Sequence, residues 1–304
     1  MLYISTRSKI DSFTAYRALH EMCAPDGGQF VPMQIPVLGG EEIADLKNCT
    51  FSHNMATVLN LFFSASLNEW DLEFAVGRNP VKMQEAGLKA HVAEMWHNHE
   101  KTYRCFQTSL LSLLGVECTE SIGQWAQTAV KVSTLFGIYG LLSRSGISAL
   151  DISVSTEDMV AAVYAKAMGL PIDKIICVCW ENDPAWDFIQ HKEWNANAPT
   201  TCASILEGLI FSRLGREEAV QFADCIRNRK TYRVQEENFA AFDDLYAVAV
   251  SDRRVSSVVN SVNRSSGYNI SDDAAFTFGG LQDYRARTGE SKDTLLLSSE
   301  KPKK

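Results

Sequence analysis

Between residues 147 and 298 the apolar positions change period repeatedly, and those changes outline the fold. Residues 147–154 form an apolar run of strand length, and 157–169 repeat apolar side chains at helical spacing. The run Ile175-Ile-Cys-Val-Cys-Trp180, within 174–180, is apolar at successive positions and predicts a strand buried on both faces. A helix over 183–190 follows, with Pro184 in its first turn. Further helices are predicted over 236–250, over 252–264 with Ser251 as cap and Gly267 past the end, and over 273–288 ending at Gly289. A strand over 293–298 closes the series. Upstream, 106–114 is an apolar helical pattern stopped by Gly115, and a helix from Ser121 sets Trp125, Ala129, Val132, Leu135 and Tyr139 on one face. Strands alternating with helices predict an α/β fold, a mostly parallel sheet with helices on both faces.

Composition narrows the class. The 304 residues, 46% apolar and 22% charged, suffice for a full core and are expected to form one domain over 1–304. A net charge of -8 and a pI near 5.3 argue against nucleic-acid or membrane-surface partners. No apolar run has transmembrane length and the start lacks a basic-then-apolar leader, so a cytoplasmic protein is expected. The eight cysteines are scattered without a Cys-x-x-Cys pair, which suits reduced core residues. The polar stretch 298–304 suits a solvated tail.

Several specific motifs then follow one another in a known order. They are Tyr3-Ile-Ser-Thr-Arg7, Ala24-Pro-Asp-Gly-Gly-Gln-Phe-Val-Pro32, Glu94-Met-Trp-His97-Asn-His-Glu-Lys-Thr-Tyr-Arg104-Cys-Phe106, Ala165-Lys-Ala-Met-Gly-Leu-Pro-Ile172, Glu181-Asn-Asp183 and Gly267-Tyr268. In order and spacing they resemble the threonine synthase family. The likeness spans almost the whole chain and implies the tryptophan synthase beta-like fold of fold-type II pyridoxal-phosphate (PLP) enzymes. It also implies the family's conversion of phosphohomoserine to threonine.

The site departs from that pattern. The family's third motif reads Glu-Leu-Phe-His-Gly-Pro-Thr-Leu-Ala-Phe-Lys-Asp-Phe, and its lysine forms the Schiff base. Arg104 stands there instead, and a guanidinium has no free amine lone pair. The family's phosphate loop Ser-Gly-Asn-Phe-Gly aligns with Ser153-Val-Ser155-Thr156-Glu157, where both glycines are gone. Glu157 and Asp158 place carboxylates where phosphate would sit, and Ser155 to Asp158 reads as a capping box. Asp272-Asp273 replaces the family's Pro-His, and Ser204-Ile-Leu-Glu-Gly208 keeps only the serine of Ser-x-Ala-Met-Asp. The small-domain insert with its Ser-Gly-Asp-Thr-Gly loop is missing around 115–121, where Val116 to Glu120 makes a loop of ordinary length.

The resemblance therefore implies a degenerate cleft without PLP. Candidate catalytic residues are Arg104, His97, Lys101 and Asp273; candidate ligand-binding residues are Arg104, Ser153, Ser155, Glu157, Asp158 and Ser204. His97 and His99 on extended backbone could share a metal, but without a third or fourth ligand they read as surface or hydrogen-bonded imidazoles, and no metal is expected. The preferred reading is a non-catalytic binding or regulatory partner. The alternative is a PLP-independent lyase or cyclase that eliminates an anionic group from an amino acid, with Arg104 as anion clamp and a carboxylate or His97 as base. A conventional threonine synthase comes third. A small amino-acid-like ligand is possible, and a homo- or hetero-oligomer is expected through the face left by the missing small domain.

Overall fold

The computed structural model describes residues 1–8, 11–117 and 122–303. Its central sheet has six strands in spatial order Leu245–Val250, Ile172–Trp180, Leu150–Ser155, Thr294–Ser298, Ala90–Glu94 and Lys82–Gly87. The first five run parallel, and the polar edge strand Lys82–Gly87 is antiparallel. Period-two alternation divides each inner strand between two cores. Along Ile172–Trp180, Ile175, Cys177 and Cys179 enter the larger core, whereas Ile176 and Val178 enter the smaller one. The larger core packs under helices Phe51–Phe63, Tyr103–Leu113, Gln124–Arg144, Thr156–Ala167 and Ala203–Leu214; the smaller packs under Asp252–Ser266 and Asp272–Thr288. The mixed α/β class, the mostly parallel sheet and the helices on both faces are as the sequence predicts.

The caps explain where helices begin. Asp183 accepts from the amide of Ala185 at 2.8 Å ahead of Pro184–His191, and Ser251 accepts from the amide of Arg254 at 3.4 Å ahead of Asp252–Ser266. One element is corrected. Residues 236–250 are not a helix: Glu236–Phe242 is a 3-10 turn, and Leu245–Val250 is a strand paired in register with Ile175 to Trp180. Leu245-Tyr-Ala-Val-Ala-Val250 satisfies either period over so short a run, and pairing along the open edge of Ile172–Trp180 selects the extended form. The helix expected from Ser121 begins at Gln124; Ser121 and much of the connection where the family insert is missing, 118–121, lie outside the described residues.

The N-terminal motifs build a separate three-stranded antiparallel sheet, with Leu2–Ser5 between Ser12–Thr14 and Phe30–Pro32. Asp26 accepts from the hydroxyl of Ser5 at 2.8 Å and from the amide of Gly28 at 2.9 Å. A Cβ on Gly28 would lie 2.2 Å from Ser5 Oγ, so only glycine lets the two motifs close on each other. Thr6 and Arg7 then clasp buried Glu207 of helix Ala203–Leu214, Thr6 Oγ1 at 2.5 Å and the guanidinium at 3.0 and 2.6 Å. These motifs weld the N-terminal sheet to the body; none of their residues reaches the cleft described next. Among the described residues no helix is long and apolar enough to cross a membrane.

Candidate functional site

A cleft of about 770 Å³ opens at the carboxyl ends of the parallel strands, where α/β folds place ligands. Strand ends contribute Val154 and Ser155, Val178 and Trp180, then Leu297 with Ser299 and Glu300 beyond it. Four helices start at its wall: Thr156–Ala167, Pro184–His191, Asp252–Ser266 and Asp272–Thr288, whose first residues or caps line it. From the opposite side Tyr103 and Gln107, one helical turn apart, face Gln127 and Lys131 on helix Gln124–Arg144.

Arg104 does not line this cleft. It is exposed at the second position of helix Tyr103–Leu113, with no side-chain partner among the described residues, and Tyr103 looks inward in its place. Gln107 donates to the Tyr103 hydroxyl at 3.1 Å. Burial, and then the Asp158 charge, push that phenol well above the usual tyrosine range, so it stays a neutral hydroxyl. Lys101 is also exposed, in a left-handed turn at φ 57°, and lies outside the lining.

His97 is outside as well. The backbone from Met95 to Glu100 turns rather than extends, so His97 and His99 do not share a face. The His97 ring stacks on Trp96 at 4.0 Å, and its Nε2 pairs with buried Glu94 at 2.8 Å. Glu94 also accepts from the Tyr268 hydroxyl at 2.9 Å, and burial together with that carboxylate raises the Tyr268 phenol. This cluster satisfies itself beside the sheet edge. Among the described residues no group of three or more histidine, cysteine or carboxylate side chains is placed to hold a metal.

Two further candidates are structural. Ser153 is buried and donates to the carbonyl of Thr277 at 2.9 Å, tying its strand to helix Asp272–Thr288. Ser204 is exposed near Gln29, remote from the cleft lining. Asp273 does line the cleft, but both its oxygens are engaged: Oδ1 accepts from Ala274 N at 2.8 Å and from the Ser271 hydroxyl, and Oδ2 from Ser299 N and Glu300 N at 2.6 and 3.1 Å. It fixes the turn after Thr294–Ser298 instead of standing free as a base.

Ser155, Glu157 and Asp158 are where the sequence put them, at the start of helix Thr156–Ala167, yet the capping box is not made. Ser155 takes the N-cap position by backbone, but its hydroxyl donates to Asp158 Oδ2 at 3.1 Å and accepts from no helix amide. Asp158 is neutralised by Lys131, Nζ to Oδ1 2.5 Å, and the same ammonium donates to the carbonyl of Glu157 at 3.2 Å. Ser155→Ala should therefore cost no more than about 0.5 kcal/mol, below the roughly 1 kcal/mol of a working cap. A urea midpoint shift equivalent to a full cap would contradict this geometry.

The sequence reading missed Tyr103, Gln107, Lys131, Trp180, Asp183 and Asp252. One signal was present: Gln124, Gln127 and Lys131 form a polar stripe on a helix otherwise apolar. Trp180 ends an apolar strand, is 46% exposed, and stacks on Phe276 at 4.2 Å inside the cleft.

A Schiff base with PLP would need an amine free to lose its proton, and Lys131, the one amine among the described residues that line the cleft, is the cationic half of an ion pair. A phosphate at the open amides of Thr156–Ala167 would meet Glu157 and Asp158 in that helix's first turn.

Comparison with known proteins places this architecture. Residues 2–79 match the family model described as the threonine synthase N terminus. Over 99% of the chain the structure is similar to the PLP-bound threonine synthase of Brucella melitensis, with TM-score 0.83, 15% identity and 89% of that chain covered. It is also similar to the yeast enzyme, with TM-score 0.78, 15% identity and 87% of that chain covered. For the Escherichia coli enzyme the TM-score is 0.71, with 15% identity and 89% coverage. No curated protein matches the chain in sequence. The chain thus matches the model of the threonine synthase N terminus over residues 2–79 and has, over nearly all its length, the fold seen in threonine synthases.

Proposed function

We propose that this threonine synthase-like protein neither binds PLP nor makes threonine, and that it serves as a binding or regulatory partner through the same cleft. One observation carries the reading: among the described residues the cleft presents a single amine, Lys131, and Asp158 clasps it at 2.5 Å. The acidic first turn at Glu157 and Asp158 supports the reading from the phosphate side. The PLP-independent lyase reading is weaker, because its anion clamp Arg104 and one candidate base, His97, lie outside the cleft, and its candidate carboxylate Asp273 is held by backbone amides. We include in the proposal a single domain over 1–304, with the family's small-domain insert missing around 115–121, and a cytoplasmic setting. Trp70 and Phe74, 71% and 86% exposed, stand beside Leu113 near that connection, and an oligomer contact there would cover them.

The test is spectroscopic. Purified protein mixed with PLP should show no internal-aldimine band and no adduct fixed by borohydride. Arg104→Lys should behave the same way and should yield no threonine from phosphohomoserine, since the side chain at 104 points away from the cleft. A stable band reduced onto Lys131, or threonine formed by either protein, would sink the proposal.

A further inference from the structure

Resting on that reading, the cleft's own chemistry names a ligand class. Among the described residues seven carboxylates line it against one ammonium. Helix N-termini would favour an anion, but four of them at about +0.5 each, with Lys131 and the rim Lys303, total only about +4 against -7. Four of the carboxylates are already engaged: Asp158 by Lys131, Asp272 by Lys303, Asp273 by backbone amides, and Asp183 by Ala185 N and the Thr156 hydroxyl. Glu157, Asp252 and Glu300 are exposed and have no side-chain partner among the described residues.

Charge alone does not make a site, and here it comes with a cavity and an aromatic wall. The volume of about 770 Å³ is that of a small-molecule pocket. Trp180, braced by Phe276, offers part of its ring to the lumen, and an indole face attracts a cation and packs methylenes. The rim carboxylate Asp272 already takes an ammonium from the chain itself, that of Lys303.

We propose that the cleft binds an aliphatic polyamine, its ammonium groups on Glu157, Asp252 and Glu300 and its methylene chain over Trp180. Anionic ligands of the kind threonine synthase takes would be repelled by the same lining. A bare divalent ion would use the carboxylates but not the ring.

Calorimetric titration of the full chain with spermidine tests this, with magnesium titrated in parallel. Saturable one-to-one binding that weakens as salt rises is expected. Trp180→Ala should weaken it about tenfold, Trp180→Phe less, and the triple variant E157Q/D252N/E300Q at least a hundredfold; all these side chains are exposed, so folding should persist. Absence of saturable binding to wild type overturns the proposal. So does unchanged affinity in Trp180→Ala, or magnesium binding as tightly as spermidine with the same dependence on the three carboxylates, which would mark a simple ion site. Because PLP binding is read separately from its visible band, failure here leaves the non-catalytic reading to stand or fall on that band.

Discussion

Glu207→Ala is expected to lower stability by about 3 kcal/mol, measured as a reduced urea midpoint at unchanged slope. Glu207 is 3% exposed and takes hydrogen bonds from Thr6 Oγ1 and from two nitrogens of Arg7. Its removal strands a guanidinium and a hydroxyl at the junction between the N-terminal sheet and helix Ala203–Leu214. Breaking one partner of a buried ion pair typically costs about 3–5 kcal/mol. The low end applies because the Arg7 side chain keeps 27% of its exposure and can reach water. Against a total stability of about 5–15 kcal/mol the loss is large. Glu207→Gln, which retains an acceptor for Thr6, should lose markedly less. A change below 1 kcal/mol in the alanine variant would show that the Tyr-Ile-Ser-Thr-Arg motif does not hold the junction.

That network also explains which parts of the molecule were legible in the sequence. Strands such as Ile172–Trp180 and Thr294–Ser298 announce themselves because burial on both faces keeps their central positions, 175–179 and 295–297, apolar in succession. Leu245–Val250 did not, since six apolar residues fit two periods and only the neighbouring strand decides between them. The N-terminal motifs were recognisable and correctly ordered, yet their residues act in docking, which no local pattern distinguishes from ligand contact. In the cleft, Ser155, Glu157, Asp158 and Asp273 were found because they fall where the resemblance puts the family's cofactor motifs. Tyr103, Lys131, Trp180 and Asp252 were not, because they converge from four separate elements. Arg104 was expected in the cleft, and its neighbour Tyr103 lines it instead. On a helix a single step turns the side chain by about 100°, so Tyr103 and Gln107 can face the lumen while 104 faces water.

Two adjacent glycines on helix Asp272–Thr288 should respond to alanine with opposite signs. Gly280 lies against Val178, and a Cβ there would sit 2.4 Å from Val178 Cγ2 and 2.8 Å from its Cγ1. Val178 cannot retreat: it is β-branched, 1% exposed, and held in a strand between two others. Overpacking of this kind costs about 1–3 kcal/mol, and the better helix propensity of alanine returns about 1 kcal/mol. The 2.4 Å approach puts the cost toward the upper end, so a net loss of up to about 2 kcal/mol is expected for Gly280→Ala, with the helix pushed off the sheet. At Gly279 the nearest atoms to a Cβ are Arg254 Cγ and Val258 Cγ2, both at 3.4 Å, which is ordinary contact. Propensity then prevails, and Gly279→Ala should gain up to about 1 kcal/mol. Because Asp272, Asp273, Phe276 and Thr277 of this helix line the cleft, Gly280→Ala should also widen it and expose Trp180 further. Thermal and urea unfolding of the two variants measure the signs, and acrylamide quenching of tryptophan fluorescence reads the opening. Equal effects at both positions would mean that the helix does not meet Val178 this closely, and the close packing of that cleft wall would have to be abandoned.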